Sequence, residues 1–234
     1  MSETSLIAFP DQGERTLAAF FAAMASEIGA THHEILNELA RALTERGWVQ
    51  AVEHVVAKLG EMSSEDAVRT ALGELEARRL VYVDREAGKF TGLLGCLSVT
   101  RTEHRGHLSS GIDVFTYGGM DLLTLNATLL KSVDLFTRCP VTGQDIRLKV
   151  EDGQIVESNA HGFAGFLASW DGQAPLAEVS RRSPLFANDE AMEAWVKAHP
   201  EVPGTEIPGD LMLWVGMSQA TDLGNARFRL IGHE

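Results

Sequence analysis

A chain of 234 residues, 44% hydrophobic and 23% charged, carries enough apolar material for one large domain or two small ones. Its net charge of −13 argues against general binding to nucleic acid or anionic membranes, which needs clustered Lys and Arg. Two cysteines, Cys96 and Cys139, are too few for a disulfide framework or for a zinc site of three or four thiolates.

Residues 1–11 show no basic stretch followed by an apolar one, and no run reaches the ~18 apolar residues that span a bilayer. The expectation is a cytoplasmic protein without a membrane partner. An Ala-rich segment over 14–28 predicts a helix ended by Gly29. Ile35, Leu36, Leu39, Ala42 and Leu43 recur at helical spacing in a second helix over 33–46, stopped by Gly47. A third, over 49–59, sets Val52, Val55, Val56 and Leu59 on one face. Ser63-Ser64-Glu65-Asp66 offers an N-cap and an acidic first turn to a fourth helix over 64–78, striped by Val68, Ala71, Leu72 and Leu75. A strand over 80–84, a turn over 86–89 and a returning strand over 90–99 follow.

Helices and then a hairpin, in that order, predict a winged-helix-like module over 34–100, preceded by a helical extension over 1–33. The third helix of such modules often reads DNA. Here Glu65, Asp66, Glu74 and Glu76 face Arg69, Arg78 and Arg79, a poor match to phosphate, so the module reads as a packing platform and nucleic acid is not an expected partner. The loop over 100–111 holds His104 and His107. His-x-x-His can ligate a metal from a helix, but Arg101, Arg105 and Gly106 beside it predict a mobile polar loop, and neither metal nor cofactor is expected.

From residue 112 the pattern changes, opening a second domain over 101–234. An apolar helix is predicted over 120–130, a strand over 133–137, a tight turn over 140–143, an alternating strand over 145–150 and another over 154–158. A glycine-rich stretch (Gly162, Gly165, Gly172) comes next. Asn188 caps a helix reaching Val196, and a buried strand over 211–215 precedes a last helix over 217–228. The fold class expected is α+β, with a mixed sheet in the second domain.

Several segments resemble organomercurial (alkylmercury) lyase, in the family's order. They are the small-helix module with its hairpin, Phe115-Thr116-Tyr117-Gly118-Gly119-Met120-Asp121-Leu122-Leu123, and the turn Cys139-Pro140-Val141-Thr142-Gly143. Ser183-Pro184-Leu185-Phe186-Ala187-Asn188 with the Trp195 helix, and the closing Gly216-Met217-Ser218-Gln219-Ala220-Thr221-Asp222-Leu223-Gly224, are similar too. The resemblance implies that the second domain is organomercurial-lyase-like. In that family two cysteines hold mercury and an aspartate handles the proton delivered to the departing carbon. Carried over, the aspartate is Asp121, the first cysteine position is Gly118 and the second falls at or near Ser180.

A serine oxygen is hard and weakly acidic and does not replace a thiolate for mercury, and glycine offers no ligand at all. The expectation is therefore a divergent member using its pocket for another small molecule. Asp121 and Ser180 would do the chemistry, with Tyr117, Gly118, Gly119, Arg181 and Arg182 around the ligand. In that reading the glycines let a substrate approach the backbone. Bland readings stand beside these: Asp121 as an ordinary helix-start charge, Arg181-Arg182 as a solvated turn, and Cys139 as a buried structural thiol. Two alternatives complete the set: a lyase with thiols relocated to Cys96 and Cys139, and a non-enzymatic winged-helix regulator.

Overall fold

Leu17, Phe21 and Met24 recur every three or four residues, and the first helix, α1 (Gln12–Glu27), turns them into the core. The structure, a computed structural model, describes residues 12–232; the segment 1–11, read above for an export signal, lies outside the described residues. α2 (Ala30–Arg46), α3 (Val52–Gly60) and α4 (Glu65–Ala77) bury the stripes read from the sequence. Gly47, at φ 75°, closes α2 by donating its N–H to the Leu43 carbonyl, and Ser64 Oγ accepts the Ala67 N–H at 3.2 Å to cap α4.

β1 (Val81–Asp84) and β2 (Lys89–Leu93) form the expected hairpin. The returning strand does not run on to Val99. It breaks at Leu94 and Gly95, both at positive φ, and resumes as β3 (Leu97–Ser98). The mobile loop expected over 100–111 is instead largely strand: β4 (Arg105–Leu108) leads to β5 (Asp113–Thr116), with Gly106 and Leu108 turned into the core. The single helix expected over 120–130 is two short ones, α5 (Gly119–Leu122) and α6 (Leu125–Leu129), ended by Leu130 in the left-handed region.

β6 (Val133–Arg138), β7 (Asp145–Glu151) and β8 (Gln154–Ser158) follow the alternation in the sequence. The remaining elements are β9 (Ala164–Ala168), α7 (Leu176–Arg181), β10 (Leu185–Phe186), α8 (Asp189–Ala198), β11 (Gly204–Ile207) and α9 (Gly209–Leu211). The buried strand expected over 211–215 is helical: a π-helical stretch, Met212–Gly216, runs straight into α10 (Met217–Ile231). A five-residue apolar run does not by itself separate helix from strand; within it Met212 is buried while Leu213 is exposed, and the neighbouring α10 carries the helix on.

Eight strands form one sheet in the order β1-β2-β3-β5-β4-β6-β7-β8, and β10-β9-β11 form a second. The α+β class is as expected, but every pairing is antiparallel rather than mixed. Val114, Val133, Leu135, Ile146, Leu148 and Val150 fill the inner face of the large sheet. α10 packs between α1, α2 and α6, and so brings the end of the chain against the start of α5. Among the described residues no helix is long and apolar enough to cross a membrane.

Candidate functional site

The junction between β5 and α5 is where the chemistry-bearing residues meet. Thr116 Oγ1 donates to the Gly118 carbonyl at 2.9 Å, holding the extended backbone that enters α5. The Tyr117 N–H donates to the Cys96 carbonyl at 2.9 Å, and the Tyr117 hydroxyl donates to the Thr91 carbonyl at 2.7 Å. The ring is thereby pinned over the β2 strand, edge-on to Tyr82 at 6.2 Å, and burial pushes its phenol up to about 12. Tyr117 is held in place by these bonds and is not among the residues that line the cavity described below.

Gly118 and Gly119 lie close against the chain's own backbone. A Cβ on Gly118 would overlap the Ser180 carbonyl oxygen, and one on Gly119 would lie 2.7 Å from the Leu185 nitrogen. The Met120 N–H donates to the Ser183 carbonyl at 2.9 Å, which fastens α5 to the segment after α7.

Asp121, in the first turn of α5, is only 5% exposed. Its Oδ1 accepts from Arg227 Nη2 at 3.2 Å, and Arg227 Nη1 donates to Thr124 Oγ1 at 2.9 Å. Thr124 Oγ1 in turn donates to the Asp121 carbonyl at 2.8 Å. Arg227, on α10, is 2% exposed, with its guanidinium 5.4 Å from the Phe21 ring centroid. Asp121 Oδ2 is buried without a hydrogen-bond partner. Two opposite charges taken out of water are tolerable only when they neutralise each other, and here one carboxylate oxygen is left over.

That carboxylate lines a cavity of about 30 Å³, room for roughly one water molecule. Asp121, Thr124, Ser180, Ser183 and Arg227 supply its polar wall; Leu17, Leu176 and Leu223 are among the apolar residues that close it. Ser180 Oγ donates to the Gly95 carbonyl at 3.0 Å, and Ser183 Oγ donates to the Val179 carbonyl at 3.0 Å while accepting the Ala168 N–H at 3.1 Å. The kink at Leu94-Gly95 is what presents that carbonyl to α7.

Asp121 and Ser180 thus share one wall, whereas Arg181 and Arg182 stand outside the cavity. Arg181 is exposed, its guanidinium 4.9 Å from the Tyr117 ring centroid, and Arg182 is half-buried. The arginine inside is Arg227. Its signal in the sequence is an arginine on the apolar stripe of α10, in register with Ala220, Leu223 and Leu230.

The two thiols lie on different elements. Cys96 is fully buried in the β2–β3 kink, and burial pushes it up to about 12, against a smaller downward pull from Arg227 and with a further push from Asp121. Cys139, at the end of β6, accepts the Thr142 N–H at 3.5 Å. Burial raises its value, but Thr142 and the surrounding N–H donors outweigh that and leave it lowered. His104 and His107 sit on or beside a strand, not a helix. His104 Nδ1 meets Thr137 Oγ1 at 2.7 Å and His107 Nδ1 meets Asp113 Oδ1 at 2.8 Å. Among the described residues no group of three His, Cys, Asp or Glu is placed to hold a metal ion.

A protein-family model described as alkylmercury lyase matches residues 97–220, from β3 through the start of α10. Among solved structures, the mercury-bound form of MerB2 superposes with a TM-score of 0.74 at 20% identity, covering 92% of this chain and 98% of that one. At that identity the likeness speaks to the fold. No curated protein matches the sequence.

Proposed function

The chain belongs to the alkylmercury lyase family, and we propose that it uses the pocket around Asp121 for a small molecule other than an organomercurial, without efficient cleavage of carbon–mercury bonds. Protonolysis of that bond needs soft thiolates on the metal and an acid at the carbon. The observation that carries the proposal is the fit at Gly118, where the space a cysteine Cβ would take is filled by the Ser180 carbonyl. Ser180, at or near the second sulfur position, already spends its hydroxyl on Gly95. No sulfur stands at either place, and the first has no room for one.

What the pocket retains is an acceptor, Asp121 Oδ2, next to a carboxylate–guanidinium pair inside apolar walls. In this reading Asp121 binds a donor on the ligand and exchanges a proton with it, and Arg227 holds the carboxylate in place. Entry of anything larger than water requires the walls to part. Leu17 of α1 and Leu223 of α10, two helices that pack together, are among the apolar residues that close the pocket.

The proposal is tested by incubating the protein with methylmercury or phenylmercury and excess small thiol, and measuring methane or benzene by gas chromatography. The expected result is no hydrocarbon above the protein-free control, with at most stoichiometric thiol labelling. Gly118→Cys combined with Ser180→Cys is expected to remain inactive, because the new Cβ displaces α7. Hydrocarbon release by the natural protein would overturn the proposal, and its loss in Cys96→Ala or Cys139→Ala would then assign the relocated-thiol alternative.

A further inference from the structure

The outward face of the large sheet carries a row of side chains around a depression that shares no lining residue with the Asp121 pocket. Arg105 stands opposite both Phe115 and Phe136, and Phe136 stands opposite Arg147, so rings and guanidiniums alternate across β5, β4, β6 and β7. The Arg105 guanidinium lies 4.5 Å, and that of Arg147 6.0 Å, from the centroid of the single Phe136 ring. With Arg138 they wall a depression of about 390 Å³, edged by Glu103 and Asp145. That volume lies within the usual range of small-molecule sites, roughly 300–1,000 Å³.

Arg105 pairs with Asp113 at 3.3 Å and Arg138 with Asp145 at 3.4 Å. Among the described residues no carboxylate pairs with Arg147. Stacking uses the flat face of a guanidinium and leaves its in-plane N–H donors free, in the fork that fits oxyanions bidentately. Arg105 and Arg147 both lie near the Phe136 ring and line the same hollow, where Arg105 gives one N–H to Asp113. Arg105 and Arg138 are each matched by a carboxylate, so Arg147 brings the hollow a guanidinium without an acidic partner among the described residues.

We propose that this depression binds a phosphate group, free or carried on a small organic body, through Arg147, Arg105 and Arg138. An organic body, where present, would lie against the Phe136 ring. The assignment is independent of what the Asp121 pocket does.

Isothermal titration of the whole protein at low ionic strength, with inorganic phosphate and with phenyl phosphate, tests it. One site per chain is expected. Arg147→Gln, at an exposed position, should bind at least tenfold more weakly while keeping its circular dichroism. Arg85→Gln, on the β1–β2 turn, should titrate like the natural protein. Tighter binding of phenyl phosphate identifies a phosphomonoester as the ligand class, and equal binding identifies the free anion; either supports the site. No heat with either ligand, or an Arg147→Gln titration that superposes on the natural one, would overturn it.

Discussion

Arg227 and Asp121 hold each other in a place where neither charge would survive alone. Replacing Arg227 by Met should cost about 3–5 kcal/mol, because it leaves an uncompensated carboxylate out of reach of water. The combined Asp121→Leu, Arg227→Met protein should recover most of that loss, since an apolar pair of similar volume is often neutral or better. Urea midpoints for the two single variants and the double give the coupling directly, and additive losses would rule out the pair as an energetic unit. Asp121 and Ser180 could be located from the sequence through the motifs around them, and they do line one cavity. Arg227 could not, because its partner lies 106 residues away and only its position on an apolar stripe hinted at burial. Arg181 and Arg182 drew attention by adjacency to Ser180, but a helix sends consecutive residues to different faces, and α7 turns Ser180 inward and Arg181 outward.

At the scale of elements, α2 is organised around Glu38, a buried carboxylate reached by Arg41, by Arg46 at 3.3 Å and by Lys58 at 2.7 Å. Burial alone would raise the Glu38 carboxyl. Lys58 and Arg41 more than offset that, so its value is lowered from the ordinary 4.5. A carboxylate lowered by folding stabilises fully above its unfolded value and loses that contribution as pH falls through the folded one. Glu38→Gln should therefore weaken the protein by about 1.5–3 kcal/mol at neutral pH and flatten the acid limb of its stability below about pH 4.5, read from urea midpoints across pH. α2, α3 and α4 were legible because long periodic segments with caps declare themselves. β4 was not: in Arg-Gly-His-Leu the inward positions are a glycine and one leucine, so the outward Arg105 and His107 made a strand look like a polar loop. β9 hid behind Gly165, a glycine present because the Met120 and Met212 sulfurs occupy the space of its side chain rather than because the chain turns there.

For the whole molecule, the decisive fact is that the hairpin β1–β2 and the strands β4–β8 belong to one sheet, while α1 at one end of the chain packs on α10 at the other. The segments read from the sequence as an extension, a module and a second domain are therefore tied by main-chain hydrogen bonds and a common core. Unfolding should follow one denaturant transition, with tryptophan fluorescence and far-ultraviolet circular dichroism coinciding; separate midpoints would mean that the helical module melts by itself. The two cysteines give this cooperativity a clock. Both are unpaired and sealed in the native state, Cys96 where hairpin meets pocket and Cys139 at the tip of the β6–β7 ribbon. A thiol reagent in solution meets each sulfur only when its own neighbourhood opens, so the two labelling rates, resolved by peptide mapping, time the breathing of the pocket separately from that of the ribbon.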